Sequence, residues 1–172
     1  MNYEFTTQKL IVKQWHSFNP TELNQPDLID IINDMLEPDI TVTFSMMWRG
    51  NYDRERTESW IKERDTESKT LLAIDKTTKD AIGVINFFKV GDRSKGIKLR
   101  VGYFVSKVMW SKGFATELME GFTHWCRENN ISTIFAGVEP HNIASIRVLE
   151  KNNFSNEKTE VNGRTLLFVY NT

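Results

Sequence analysis

The stretch Val105-Ser106-Lys107-Val108-Met109-Trp110-Ser111-Lys112-Gly113-Phe114-Ala115-Thr116-Glu117 decides how the chain is read. A run of strand-forming residues, 97–106, ends in it. The clearest helical stripe then begins: Ala115, Leu118, Met119, Phe122, Trp125 and Cys126 recur at steps of three and four. A helix start leaves N–H groups without intrahelical partners and carries the positive end of the helix dipole, which suits phosphate. Gly113 permits a positive φ and a close backbone approach, and Ala115 keeps the first turn uncrowded. Ser111 and Thr116 add hydroxyl donors and Lys112 a charge. Any β-to-α turn also needs a glycine and a cap, so spacing alone leaves phosphate binding and a plain turn both open.

Downstream, residues 133–139 read as a strand and 142–151 as a helix, and two further strands flank Asn162-Gly163, a two-residue hairpin signal. Upstream, residues 9–15 form a first strand. Leu28, Ile31, Ile32, Met35 and Leu36 mark an amphipathic helix, with Pro26 where a first-turn proline is tolerated. A more polar helix covers 53–65, with Trp60 and Ile61 inward; between the two helices lies an apolar stretch with Val42, Phe44, Met46, Met47 and Trp48. Strands 70–75, 81–89 and 97–106 follow, joined by the short polar connections 76–80 and 91–96. The order β-α-α-β-β-β-α-β-α-β-β predicts an α+β fold with helices on both faces of a mixed, mostly antiparallel central sheet. No linker or repeat interrupts residues 1–172, which read as a single domain.

Composition removes several function classes. The 172 residues carry 22 Lys+Arg and 23 Asp+Glu, a formal net charge of -1, where a general nucleic-acid binder would show a basic excess. No apolar run approaches the roughly 18 residues of a membrane span, and residues 1–5 lack a signal-peptide layout. The single Cys126 excludes an internal disulfide and a multi-cysteine zinc site, and His16, His124 and His141 are too scattered to suggest a metal. The expectation is a soluble, reduced, cytoplasmic domain with no metal, nucleic-acid or membrane partner.

A second segment, Glu139-Pro140-His141-Asn142-Ile143-Ala144-Ser145-Ile146-Arg147-Val148-Leu149-Glu150-Lys151-Asn152-Asn153-Phe154, opens the later helix. Asn142 and Ser145, three apart, share a face. From the residues alone, Asn142 is an N-cap, Ser145 a first-turn residue and Asn153 a left-handed cap.

Taken together, the two segments resemble those of the GNAT superfamily of acetyl-CoA-dependent N-acetyltransferases, and within it the ribosomal-protein N-terminal acetyltransferases of the RimJ/RimL type. Trp110-Ser111-Lys112-Gly113-Phe114-Ala115, followed by Thr116-Glu117, is similar to that family's pyrophosphate loop. Val101-Gly102-Tyr103-Phe104-Val105 is similar to the subgroup's fourth strand, and Asn142-x-x-Ser145 with Glu150-Lys151-x-x-Phe154 to its later helix. The likeness covers nearly the whole chain. It implies a sheet splayed between strands four and five, with acetyl-CoA in the gap. Backbone N–H groups from Ser111 to Thr116, with Trp110, Lys112, Gly113, Phe114 and Ala115 in the loop, would take the pyrophosphate. Phe104, Val105 and Ser106 would pair with the pantetheine, and a bulge there would aim an N–H at the thioester oxygen. An amine acceptor, a ribosomal-protein N-terminus in the subgroup, would attack directly. Asn142 would hold the cofactor arm or a site water, and Ser145 would protonate the leaving thiolate. The resemblance allows a homodimer or higher oligomer.

Two positions depart from the pattern. Leu149 stands where many members carry a tyrosine acid, which leaves Ser145 as the acid on that helix. Arg100 stands where the subgroup often has a glutamate. No general base is evident; Glu139 and His141 lie near the expected centre, and a loop histidine is more often simply solvated. Cys126 sits on an apolar stripe and reads as core. Phe44, Met46, Met47 and Trp48 fit an acceptor wall, a core layer or a dimer contact equally. Besides a protein N-terminal amine, a small-molecule amine and a non-catalytic CoA-binding module remain as alternative readings.

Overall fold

The computed structural model describes residues 2–25, 27–91, 96–159 and 165–172. An N-terminal strand that the sequence pattern does not announce, β1 (Glu4–Thr6), pairs antiparallel with β2 (Leu10–Gln14). Three helices follow: α1 (Leu28–Met35), α2 (Pro38–Thr41) and α3 (Arg54–Glu67). Asp27 caps α1 by accepting from the Ile29 and Asp30 N–H groups, and Asp53 caps α3 by accepting from Arg56 N–H. Pro26 and the Asn162-Gly163 hairpin signal lie outside the described residues.

The remainder is β3 (Lys69–Asp75), β4 (Ala81–Val90), β5 (Ile97–Val105), α4 (Phe114–Glu128), β6 (Ile131–Val138), α5 (Ile143–Lys151), β7 (Ser155–Thr159) and β8 (Leu166–Asn171). They complete one eight-stranded sheet in the order β1-β2-β3-β4-β5-β6-β8-β7. Every pairing is antiparallel except β5 with β6, which a helical crossover through α4 makes parallel. Because β1 precedes the strands read from sequence, the expected fourth and fifth strands are β5 and β6.

Side-chain alternation divides the core into two layers. Leu71, Ala73, Ile85, Phe87, Leu99 and Val101 pack with Leu118, Met119, Phe122 and Trp125 of α4. Leu72, Ile74, Val84 and Phe104 pack with Ile31, Ile32 and Met35 of α1 and with Trp60 and Ile61 of α3. The polar α3 is held partly by Arg64. Its guanidinium lies 3.8 Å from the centroid of the Trp48 ring and pairs with Glu67 at 2.6 Å, so it fixes the 46–48 turn against the helix.

The sheet divides where expected. β5 and β6 pair from Ile97/Ile131 to Val101/Ala136 and then part, while β5 stays paired with β4 to Val105 and β6 with β8 to Val138. The β4–β5 register runs unbroken from Gly83/Val105 to Val90/Lys98, so the bulge expected near Phe104 is absent there; the irregularity of β5 lies at Ile97/Lys98. Among the described residues no helix is long and apolar enough to cross a membrane.

Candidate functional site

The parting strands open a cleft of about 430 Å³. Its floor is Gly102 and Gly137, the first residues beyond the last β5–β6 pair. A Cβ on Gly102 would stand 2.8 Å from Asn86 Oδ1, and one on Gly137 2.8 Å from an Arg100 guanidinium nitrogen. A side chain on either would force these neighbouring side-chain ends to shift at the apex of the cleft. Arg100 thus contributes positive charge beside that floor.

One wall is aromatic. Phe44, Trp48, Trp60 and Phe104 line it, Phe44 stacking on Trp60 at 6.1 Å and tilting on Phe104 at 5.4 Å. Met46 and Met47 instead stand 74% and 83% exposed beside it, so the apolar stretch divides between wall and surface. Two ion pairs tether this segment to both lips of the cleft: Lys107 with Asp39 at 2.5 Å, and Arg49 with Glu139. His141 is exposed, its Nε2 3.2 Å from Glu139 Oε2.

The opposite wall carries Tyr103, Asn142 and Ser145. Asn142 is the N-cap of α5, its Oδ1 accepting from Ser145 N–H at 3.1 Å. The Ser145 Oγ lies 2.8 Å from the Tyr103 hydroxyl. Burial pushes the Tyr103 phenol up to about 12, the Ser145 hydrogen bond opposing the shift. Leu149 is buried in the α4/α5 core and does not face the cleft. The far end of α5 closes as read from sequence. Asn153 takes φ 61°, and the Phe154 and Asn153 N–H groups bond to the Leu149 and Glu150 carbonyls.

At the cleft's outer end the loop 106–113 leads into α4. Gly113 is the N-cap with φ 83°, a conformation a side chain would strain, and supplies no capping side chain. A Cβ there would meet nothing within 4 Å, so the space over the helix start is open. Ser111 (φ 59°) and Lys112 are exposed, Ala115 and Thr116 half-buried, and the Phe114 ring turns into the core, which leaves only its backbone toward the loop. Trp110 donates its indole N–H to the Val105 carbonyl at 2.8 Å and closes the loop on β5. Ser106 N–H bonds to the Ile82 carbonyl at 2.8 Å. By the alternation of an antiparallel ladder, the β5 groups that face the gap belong to Tyr103 and Val105 rather than Phe104. Of the expected strand-like groups, Val105 N–H remains, since its carbonyl serves Trp110.

Two residues stand inside the quoted motifs, but the contacts they make escape the motif reading. Tyr103 shares an alternation face with Val101 and Val105, which is the signal that turns it toward α5. Glu117 accepts from Thr7 Oγ at 2.6 Å and from Lys9 N–H at 2.7 Å. No local pattern announces that contact.

Residues 20–155 match the model of the acetyltransferase (GNAT) domain. A curated relative named "Uncharacterized N-acetyltransferase p20", from Bacillus licheniformis, is 35% identical over 89 residues, which are 49% of this chain and 47% of that protein. The chain thus spans about half the length of the curated relative it matches. Among solved structures, a GNAT-family acetyltransferase from Bacillus anthracis superposes with a TM-score of 0.77 at 16% identity, covering 98% of each chain. A ribosomal-protein-S5-alanine acetyltransferase from Vibrio fischeri gives 0.70 at 15% identity, covering 99% of this chain and 97% of that one. RimL, a ribosomal L7/L12 α-N-protein acetyltransferase solved in complex with coenzyme A, gives 0.67 at 15% identity, covering 96% and 95%. At such identities these structures speak for the fold.

Proposed function

The chain belongs to the acetyltransferase (GNAT) domain family, and from that premise we propose that residues 1–172 act as one cytoplasmic acetyl-CoA-dependent N-acetyltransferase domain. The observation that carries the reading is the parting of β5 and β6 beyond Val101/Ala136, with the uncapped start of α4 at its outer end. The residues present suit acetyl-CoA. Open space over Gly113 and free N–H groups from Phe114 to Thr116 fit a pyrophosphate, with Ser111 and Lys112 exposed beside them. Val105 N–H faces the gap that a pantetheine arm would fill. When bound, acetyl-CoA supplies an activated acetyl group. An acceptor nitrogen forms the N–C bond as the C–S bond breaks; one proton leaves nitrogen and one ends on sulfur. Ser145, and the N-cap Asn142 through its amide nitrogen, are the side chains at the start of α5 assigned to the reacting end.

The acceptor assigned to the cleft is the N-terminal amine of a protein or peptide. The aromatic wall of Phe44, Trp48 and Trp60 suits a first side chain, and the exposed Met46 and Met47 offer apolar surface for the following residues. The ribosomal-protein acetyltransferases among the structural relatives support this choice. The test is thiol release from acetyl-CoA against a panel of N-terminal peptides, amino acids, polyamines and simple amines. Turnover with peptides alone is the expected result. Turnover with small amines alone would move the acceptor class, and acetyl-CoA binding without turnover on any amine would remove the enzymatic reading.

A further inference from the structure

Leu149 leaves α5 without a phenol, yet a phenol reaches the same helix from the neighbouring strand. Tyr103 comes from β5, and its hydroxyl lies 2.8 Å from Ser145 Oγ and 3.4 Å from the Ser145 carbonyl. Both residues line the cleft. The geometry points to Tyr103 as the positioning residue for Ser145: its O–H holds the serine hydroxyl with its proton turned into the cleft, toward a departing sulfur. This inference rests on the acetyltransferase reading and names a residue that reading does not require.

The direction of the hydrogen bond follows from acidity. A phenol is a better donor than an aliphatic alcohol, and burial pushes the Tyr103 phenol up to about 12, so it is protonated near neutral pH. Ser145 Oγ therefore accepts from Tyr103 throughout the physiological range. Its own proton is left to point elsewhere, and the cleft is the open side. Ser145 N–H is already bound to Asn142 Oδ1, which fixes the backbone of the same residue. Backbone and hydroxyl of Ser145 are thus held from two sides, leaving one rotor position as a donor. Ser145 O–H then donates a hydrogen bond to sulfur while the C–S electron pair settles there. The proton that ends on the thiol is the one the acceptor nitrogen sheds, so neither hydroxyl is consumed. The Tyr103 hydroxyl acts through Ser145.

The experiment compares the native chain with Tyr103→Phe, which removes one oxygen from a packed ring, and Ser145→Ala, at a half-buried position in the first turn of α5 where alanine is a good helix former. Coenzyme A and its desulfo analogue are titrated calorimetrically at pH 7 and pH 9.5. A hydrogen bond aimed at sulfur favours the thiolate, so the native protein should gain about tenfold in affinity for coenzyme A over the analogue as pH rises. The gain should shrink to about threefold or less in either variant, with acetyl-CoA affinity held within about twofold. Glu139 and Arg100 are present in all three proteins, so the difference isolates the hydroxyl pair. Under turnover, Tyr103→Phe should lower kcat about tenfold with the acceptor KM unchanged, and the double variant should be no slower than Ser145→Ala alone. A Tyr103→Phe protein that keeps the native pH-dependent gain overturns the inference and leaves the acetyltransferase reading standing. Should Tyr103→Phe not fold, a native gain in Ser145→Ala overturns it equally. A native chain that binds neither coenzyme A nor acetyl-CoA overturns both.

Discussion

Glu117, in the first turn of α4, accepts a 2.6 Å hydrogen bond from the hydroxyl of Thr7, 110 residues earlier in the chain, and a second at 2.7 Å from Lys9 N–H. The turn between β1 and β2 is thereby clasped to the start of the helix that carries the phosphate loop. The carboxylate also lies near the positive end of the helix dipole, where an acid is favoured. Glu117 follows the glycine loop in sequence, yet its hydrogen bonds run to the sheet edge.

Glu117→Ala should therefore act on stability. It leaves the Lys9 N–H and the Thr7 hydroxyl without their acceptor, at a cost of about 2 kcal/mol. For a chain of this size that lowers Tm by roughly 4–8 °C. Calorimetric melts of the native and variant proteins measure it. Acetyl-CoA affinity well below saturation-limited unfolding should change by less than about threefold; a large loss of affinity with an unchanged Tm would place Glu117 in the ligand site.

The motif segments were legible because they obey local rules. Gly113 at φ 83°, Asn142 as N-cap and Asn153 in a left-handed cap are each dictated by a few adjacent residues. So is the burial of Cys126 on the α4 stripe. The strand β1 was not legible, since three residues carry too little alternation, and its partners are supplied by β2 and α4. The Glu117–Thr7 clasp and the Tyr103–Ser145 pair depend on which strand lies beside which helix, and that is tertiary information. Trp110 shows the mixed case: its place in the motif is visible in sequence, while its bond to the Val105 carbonyl explains what the ring does there.

Cys126 should be silent to thiol reagents in the folded protein. It is fully buried on the core face of α4, and burial pushes its thiol up, so little reactive thiolate exists near neutral pH. Reaction with an aromatic disulfide reagent at pH 8 should be at least roughly a thousand-fold slower in buffer than in 8 M urea, because labelling must wait for opening of the core. Fast, stoichiometric labelling of the folded chain would contradict the packing of α4.

Tyr103 should make the fold sensitive to strong alkali. Its folded value is raised to about 12, whereas an unfolded tyrosine ionises near 10. The stabilisation is complete below pH 10 and is lost as pH rises toward 12, because the unfolded chain releases its proton first. At pH 11 the contribution should have fallen by about 1 kcal/mol. Tyr103→Phe should flatten this part of the curve relative to the native protein. Urea unfolding at pH 8, 10 and 11 reads the difference, and parallel curves for the two proteins would refute the burial of this phenol.

Gly113 separates backbone strain from ligand contact, and two substitutions resolve them. Its φ of 83° lies where any L side chain is strained, so Gly113→Ala should cost about 1 kcal/mol of stability. A Cβ meets no protein atom within 4 Å, so nothing in the chain itself opposes a longer side chain pointing the same way. Gly113→Glu should therefore fold about as well as Gly113→Ala. Its carboxylate, however, would project into the space proposed for the pyrophosphate and repel it. The expected loss of acetyl-CoA affinity is at least about 2 kcal/mol, roughly thirty-fold, against less than about tenfold for Gly113→Ala. Lys112→Ala removes one exposed charge and should cost about 1 kcal/mol or less. Calorimetric titration, after circular dichroism has shown each variant folded, ranks the three. A folded Gly113→Glu protein with native affinity would mean that the start of α4 is an ordinary helix turn.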